Sequence, residues 1–274
     1  MTLKYAIIGD PVEHSLSPVM HESGFKTINL DAEYHKIRIS GSELREGLDF
    51  LKKNNYSGWN VTFPLKEIIV PFLDHLSPSA SLIGAVNTVK VVAGRLYGHN
   101  TDGEGFVKSL TTKGFDFKNK KIVILGAGGA AKAIALTLAR RNLDILILNR
   151  SVKKAEILAR QVSALGSKAS YGVLAKGDWL KEVDILIQTT PVGMHGENFL
   201  FDLQGIKYGC LVVDLIYNPL VTPFLAQASS YGCRIMNGLE MLLYQGALAW
   251  EYWFGMEAPI EAMRHSITVF LRDK

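Results

Sequence analysis

Apolar residues recur along this chain at two spacings, every second position and every three to four, the signatures of half-buried strands and amphipathic helices. KYAIIGDP (4–11) predicts a first strand, SPVMHESGFKTIN (17–29) a helix and AEYHKIRI (32–39) a second strand. GSELREGLDFLKKN (41–54) predicts a helix opened by Ser42. In WNVTF (59–63) Trp59, Val61 and Phe63 share one face, with Asn60 and Thr62 on the other. Pro64 stops that strand, because proline has no N–H for a central ladder. KEIIVPFLDHL (66–76) predicts a helix, which puts Lys66 at a strand-to-helix junction. Residues 84–102 predict a hairpin turning at Ala93-Gly94.

The chain then changes character. NTDGEGFVKSLTTKG (100–114) reads as a helix, and residues 120–142 as a buried strand, a glycine turn and a long helix. Strands follow at 143–150, 183–191, 209–217 and 233–238, with helices at 151–166 and 222–232 and two more in the tail. Strand and helix alternate almost throughout, the pattern of α/β architecture with parallel sheets. Two domains are expected, residues 1–102 completed by 239–274, and residues 103–238. The C-terminal helices are expected to pack back on the first, since Trp250, Trp253 and Phe254 otherwise lack an apolar partner.

A chain of 274 residues, 48% hydrophobic and 20% charged, can bury a large core without staples. Cys210 and Cys233 have no metal or redox spacing and read as small buried hydrophobes. The seven histidines show no ligand spacing, so no metal is expected. Net charge is +4 (30 − 26), scattered apart from KNKK at 118–121, which argues against nucleic acid. No apolar run reaches the ~18 residues of a membrane span, and the N-terminus lacks a signal-peptide layout. A cytoplasmic protein with a small-molecule substrate is the expectation, as a monomer or a homodimer.

VILGAGGAAKA supplies the first chemistry. Gly126, Gly128 and Ala131 fit G-x-G-x-x-A directly after an apolar strand and at the opening of a helix, the context that makes this motif informative. Such a turn lets backbone N–H groups approach a pyrophosphate at a helix N-terminus. An NAD site usually has an acid at the end of the next strand to bind the ribose hydroxyls. Here that position is Asn149, followed by Arg150, Ser151 and Lys154. These residues can hold a 2′-phosphate by charge-assisted hydrogen bonds, so NADP is expected over NAD. The plainer alternative is a Ser151 helix cap with solvated cations.

In EHSLSP (13–18), Ser17 before Pro18 reads as an N-cap with a first-turn proline. That leaves Ser15 unexplained, and two hydroxyls at a helix start equally suit a small carboxylate. Asn87 and Thr88 interrupt an apolar run, and Asp102 precedes a helix that it could merely cap. Lys66 could be a solvated first-turn residue. Yet Asn60, Thr62, Lys66, Asn87 and Asp102 all fall at the ends of successive strands of one sheet, where open α/β sheets bind ligands. An amine, a carboxylate and several hydroxyl and amide groups suit a small polyhydroxylated acid.

These motifs resemble the shikimate dehydrogenase family over nearly the whole chain. They are SLSP (15–18), NVTFPLK (60–66), GAVNT (84–88), NTDGEG (100–105), GAGGAA (126–131), NRS (149–151), TTPVGM (189–194), DLIYNP (214–219) and NGLEMLLYQG (237–246). The resemblance implies an N-terminal substrate domain, completed by the C-terminal helices, and a Rossmann NADP-binding domain. It also implies reversible reduction of 3-dehydroshikimate to shikimate with NADPH, in aromatic amino acid biosynthesis. Ser15 and Ser17 would bind the substrate carboxylate. Asn60, Thr62, Asn87, Tyr217 and Gln245 would line the substrate pocket, and Lys66 and Asp102 would form the catalytic pair. Gly126, Ala127, Gly128, Gly129, Ala130, Asn149, Arg150, Ser151 and Lys154 would hold the nucleotide, with Thr190, Met194 and Gly238 beside the nicotinamide. Gln188 stands where the family commonly has Asn, and Ser151 and Lys154 where Thr and Arg are frequent. Two alternatives remain. One is a quinate/shikimate dehydrogenase that uses NAD or NADP, against which Asn149-Arg150 argue. The other is a non-catalytic dinucleotide-binding regulatory module, which would be expected to lack Lys66 or Asp102.

Overall fold

The computed structural model describes residues 2–273. The chain divides into two compact units, Met1–Gly105 with Leu242–Lys274, and Phe106–Met241. The first unit is built on β1 (Leu3–Gly9), α1 (Ser17–Thr27), β2 (Ala32–Arg38), α2 (Leu44–Lys53), β3 (Tyr56–Val61), α3 (Leu65–Ile68), β4 (His75–Leu76), α4 (Pro78–Ile83), β5 (Thr88–Val92) and β6 (Arg95–His99). Its sheet runs β2-β1-β3-β5-β6-β4. β1 pairs in parallel with β2 and β3, whereas β5 is antiparallel to both β3 and β6. The sheet is therefore mixed, not purely parallel, because a two-residue turn at Ala93-Gly94 reverses the chain where a parallel crossover would need a dozen residues or more.

The second unit takes most of α5 (Asp102–Thr111), then β7 (Lys121–Leu125), α6 (Gly129–Ala139), β8 (Asp144–Asn149), α7 (Val152–Ala164), β9 (Lys168–Val173), β10 (Ile185–Gln188), β11 (Leu211–Asp214), α8 (Pro223–Ser230) and β12 (Arg234–Met236). All its strands are parallel, in the order β12-β11-β10-β7-β8-β9. Read in chain order this is 3-2-1-4-5-6, the doubly wound dinucleotide fold, whose strand order reverses between β7 and β10. The tail forms α9 (Leu239–Phe254) and α10 (Ile260–Arg272).

Several local expectations are corrected. The helix expected at 66–76 breaks into α3, a single 3₁₀ turn at Val70–Phe72 and the strand β4. Pro71 causes this: it has no N–H for the helical ladder and disfavours helical backbone in the residue before it. Ser42 does not open α2, which starts at Leu44. Ser40 bonds the Glu43 carboxylate instead, through its hydroxyl at 2.5 Å and its N–H at 3.2 Å. Ser17 does not cap α1 either; Leu16 occupies the cap position and makes no side-chain cap bond. Among the elements not anticipated are α4 and β9. α4 has its signal in SPSASLIG, where the Ser77 hydroxyl accepts from Ala80 N–H, and Pro78 and Gly84 bracket the turn. β9 is an edge strand, mostly exposed, so its sequence carries little alternation.

The tail does pack on the first unit. Trp250 and Trp253 are buried among Tyr5, Phe25 and Tyr34, and Phe254 packs against them. Ring centroids lie 4.7 Å apart for Tyr5–Trp253 and for Trp250–Phe254. The Trp253 indole donates to the Val89 carbonyl at 2.9 Å, which ties α9 to β5. Burying one large apolar side chain of this kind stabilises by about 1.5–3 kcal/mol. His21 sits inside this cluster, fully buried, stacked on Tyr34 at 4.8 Å and 6°. Among the described residues, neither of its ring nitrogens has a hydrogen-bond partner.

Burial lowers the His21 imidazole from 6.5 to about 3. An unfolded histidine takes up a proton below pH 6.5 while the folded one stays neutral. Unfolding therefore binds a proton between those values, and stability is lost as the pH falls through that window. His21→Phe keeps the stack and removes the proton. In urea unfolding at pH 5–7.5, the variant is expected to gain on the parent by about 1.4 kcal/mol per pH unit below pH 6.5. A gap that stays flat with pH would contradict a neutral, buried His21.

Candidate active site

The polar cluster of the first unit lies where β3 and β6 end and β5 begins. Lys66 Nζ donates to Asp102 Oδ2 at 2.6 Å. The Lys66 side chain is 21% exposed and that of Asp102 only 5%, so the amine is reachable while the carboxyl group is enclosed. Asn87 holds the other oxygen, its Nδ2 donating to Asp102 Oδ1 at 2.8 Å. The same amide nitrogen faces Thr101 Oγ1 at 2.8 Å and Gln245 Oε1 at 3.3 Å. Asn87 Oδ1 accepts from Thr101 N–H at 2.8 Å and Thr88 Oγ1 at 3.0 Å. Asp102 starts α5, but its side chain faces Lys66 and Asn87, and its own N–H donates to Asn100 Oδ1. The Lys66 backbone is held by Val86, whose N–H donates to the Lys66 carbonyl at 2.8 Å.

Asn60 is buried on β3. Its Nδ2 donates to the Asn87 carbonyl and to Thr88 Oγ1, both at 3.2 Å, and its Oδ1 accepts from the Tyr34 hydroxyl at 2.7 Å. Thr62 follows β3 and is half-buried. Ser15 and Ser17 sit on the stretch after β1, with Ser15 Oγ accepting from Ser17 N–H at 3.2 Å. That stretch is pinned by Arg38 on Asp10 at 2.8 Å and by Lys36 Nζ on the Glu13 carbonyl at 2.7 Å. Gln245 comes from α9, its Nε2 donating to the Leu242 carbonyl. The structure thus joins Asn60, Lys66, Asn87, Asp102 and Gln245 by hydrogen bonds. Tyr217 belongs to the second unit, half-buried on the loop after β11. Thr88, Asn100, Thr101 and Tyr34 complete the cluster without having been singled out as site residues. Thr88 had a signal, a hydroxyl inside an apolar run.

In the second unit, the loops after β7 and β8 enclose a cavity of about 470 Å³ lined by Ala127, Gly128, Asn149, Arg150, Ser151 and Lys154. Gly126 has φ +117°, backbone that side chains rarely adopt, and a Cβ there would strike Thr189. A Cβ on Gly128 would enter open space, so that side of the turn is free to receive a group. α6 begins at Gly129, with its free N–H groups over this space. Among the described residues no carboxylate lines the cavity, and Arg150 and Lys154 are exposed on its wall. Ser151 occupies the cap position of α7 without a side-chain cap bond, and the Asn149 amide closes the turn on the Ser151 carbonyl at 3.1 Å. These residues fit a dinucleotide that carries an extra phosphate.

Thr190 and Met194 lie on the loop after β10, outside that cavity. Gln188, fully buried at the end of β10, donates to the Thr190 and Val192 carbonyls at 2.9 and 3.0 Å and accepts from Thr190 N–H at 2.6 Å. Its longer side chain, in place of Asn, fills the loop's polar interior. Asp214, at the end of β11, accepts from Ile216 N–H and Thr222 Oγ1. Burial pushes its carboxyl up to about 6 against those two donors. Gly238 donates its N–H to the Ile216 carbonyl.

Fold and site define a doubly wound α/β protein with a glycine turn at the start of a helix in one unit and an amine–carboxylate pair in the other. Three family descriptions match in order along the chain: shikimate dehydrogenase substrate binding domain over residues 7–89, shikimate / quinate 5-dehydrogenase over 109–195, and shikimate 5′-dehydrogenase C-terminal domain over 238–268. The chain is 49% identical over 267 residues to the shikimate dehydrogenase (NADP(+)) of Desulfitobacterium hafniense, covering 97% of this chain and 98% of that one. It is 43% identical to the shikimate dehydrogenase (NADP(+)) of Desulforamulus reducens, covering 94% and 92%. The crystal structure of shikimate 5-dehydrogenase from Thermus thermophilus in complex with NADP(H) and shikimate superposes with a TM-score of 0.88 at 34% identity, covering 98% and 99%. The chain belongs to the shikimate dehydrogenase family.

Gly105 marks a close approach: a Cβ there would lie 2.6–2.8 Å from the backbone and Cβ of Gln245. Gly105→Ala must push α9 away, at a cost of about 1–3 kcal/mol. Thermal denaturation is expected to show a lower midpoint together with weaker substrate binding. Parent values for both would mean that Gln245 moves freely.

Proposed function

We propose that this chain catalyses the reversible reduction of 3-dehydroshikimate to shikimate with NADPH. The observation that carries the reading is the Lys66–Asp102 contact at 2.6 Å, with Asp102 held on its far side by Asn87. NADPH, when bound, supplies the hydride. Gly126, Ala127, Gly128, Gly129 and Ala130 would hold its pyrophosphate, and Asn149, Arg150, Ser151 and Lys154 its 2′-phosphate. Thr190, Met194 and Gly238 would face the nicotinamide.

The residues of the first unit bind and orient the substrate and manage one proton. Ser15 and Ser17 donate to its carboxylate. Thr62, Asn87 and Gln245 hold its hydroxyls, and Asn60 supports Asn87. As the ketone carbon is reduced, its oxygen gains negative charge. Lys66 donates to that oxygen, where a preplaced cation lowers the barrier. One proton passes from the Lys66–Asp102 pair to the oxygen and completes the alcohol. Asp102 orients the amine and shares the proton. The reverse reaction takes the proton back.

Lys66→Ala is expected to lower kcat by ~10²–10⁴, the contribution of one positioned proton-transfer group, with a smaller change in KM. Turnover near the parent value, followed by NADPH absorbance, would remove Lys66 from the chemistry. Ser15→Ala with Ser17→Ala is expected to raise KM for shikimate. Arg150→Ala with Lys154→Ala is expected to raise KM for NADP by roughly 10- to 100-fold relative to NAD, the worth of one or two charge-assisted hydrogen bonds. An unchanged cofactor ratio would leave the 2′-phosphate without a partner. Running shikimate against quinate in the same assay separates the two substrates.

A further inference from the structure

We propose that Asn100 is a positioning residue for the Lys66–Asp102 pair, tying the main chain that carries the carboxyl group to the main chain that carries the amine. The inference rests on the catalytic roles given above to Lys66 and Asp102.

Asn100 follows β6 directly and is 3% exposed. Its Oδ1 accepts from Asp102 N–H at 3.1 Å, and its Nδ2 donates to the Ala85 carbonyl at 2.9 Å. The amide cannot reverse and keep either bond, since a main-chain N–H donates and a carbonyl accepts. The first contact joins a side-chain oxygen to the N–H two residues on, a turn that asparagine favours. The second spans 15 residues of chain. Ala85 and Val86 share one peptide group, and its N–H donates to the Lys66 carbonyl at 2.8 Å. That group is planar. Its oxygen therefore meets Asn100 on one side while its N–H meets Lys66 on the other.

A line of planar amides thus runs from Lys66 through the 85–86 peptide and the Asn100 side chain to Asp102. The 2.6 Å contact between Lys66 Nζ and Asp102 Oδ2 closes the line into a ring. The two sides of that ring differ in stiffness. The amides are rigid, whereas the lysine head rides on a long flexible stem. Lys66 can follow a displaced carboxylate, so the place of Asp102 decides where the amine points. The aspartate side chain is short, and its carboxyl group goes where its main chain goes. As the first residue of α5, Asp102 has an N–H with no partner inside the helix. Asn87 fixes the same turn to the start of β5, and Asn100 fixes it to the peptide that also holds Lys66. Without the Asn100 amide, the Asp102 N–H and the Ala85 carbonyl lose these partners in a buried setting, where water does not readily replace them.

Asn100→Ala removes both bonds. It is expected to lower kcat about 10-fold, the worth of one buried hydrogen bond, with KM for NADP within about twofold of the parent. Asn100→Ser keeps an acceptor for Asp102 N–H but is too short for the Ala85 carbonyl, and a loss of about threefold in kcat is expected. In the Lys66→Ala background, Asn100→Ala is expected to change kcat by less than about twofold, because its effect passes through the lysine. A folded Asn100→Ala enzyme with parent kcat, the result of a role in stability alone, would overturn the proposal. So would an equal loss in the two backgrounds. If Asn100→Ala does not fold, Asn100→Ser decides in the same two backgrounds: a loss confined to the enzyme with Lys66 supports the proposal, and parent kcat overturns it. Should Lys66→Ala itself leave turnover unchanged, the failure lies in the catalytic reading and not in Asn100.

Discussion

The amide of Asn87 is the constraint on which the rest of the site depends. A carboxyl group enclosed to the extent of Asp102 is costly unless both oxygens are bonded. Lys66 satisfies one and Asn87 the other. Asn87 can serve only if its amide cannot flip, and Thr101 N–H and Thr88 fix its oxygen. A side chain with a carbonyl on one end and an NH₂ on the other is required at this point. Asp would offer no donor to Asp102, and Leu would leave the Thr101 N–H and an Asp102 oxygen buried without partners.

Where the functional groups follow one another in sequence, the chain's reading and its structure agree. The glycine turn after β7 and the Asn149–Lys154 turn after β8 are built from neighbouring residues, and local backbone chemistry decides both. Lys66, Asn87 and Asp102 were legible as polar residues at strand ends. Their mutual contact followed from the sheet. Tyr34 was not legible, because on β2 it reads as one more core aromatic in an alternating strand. Only the pairing register, which sets Asn60 opposite Thr88, makes its hydroxyl part of a network. Pro71 carried a legible warning that the helix after Lys66 would break. Ser17 misled in the opposite sense: Ser-Pro at a helix start is a capping pattern, yet Leu16 takes the cap position and Ser17 is buried.

The two units solve different electrostatic problems. The glycine turn of the second unit is open, with exposed cations and free helix N–H groups, so its attraction for an anion would be strong at a distance and weakened by salt. The lysine–aspartate cluster is largely enclosed, and its energetics depend on each hydrogen bond being made rather than on net charge. Two turns after adjacent parallel strands build the first kind of site. The second needs several strands, and this is why its parts are scattered from residue 34 to residue 245.

The antiparallel hairpin is what lets so few residues build it. β3 and β6 run the same way and β5 runs between them in the opposite sense. The ends of β3 and β6 and the start of β5 therefore share one edge of the sheet. Lys66 leaves β3 there, Asn87 enters β5 there, and Asp102 leaves β6 there. Asn87 and Asp102 are only 15 residues apart. A parallel crossover of that length would consume a dozen or more of those residues in the connection alone and leave none to form the second strand. The departure from a purely parallel sheet is thus the geometric condition for the pair, since it brings an amide and a carboxyl group together at the open end of the hairpin, opposite its two-residue turn. The glycine at the other side of the pair, Gly105, lets α9 approach until Gln245 reaches the same amide. Reversing the hairpin or adding one methyl group at Gly105 would separate groups that no other element of the first unit could bring back together.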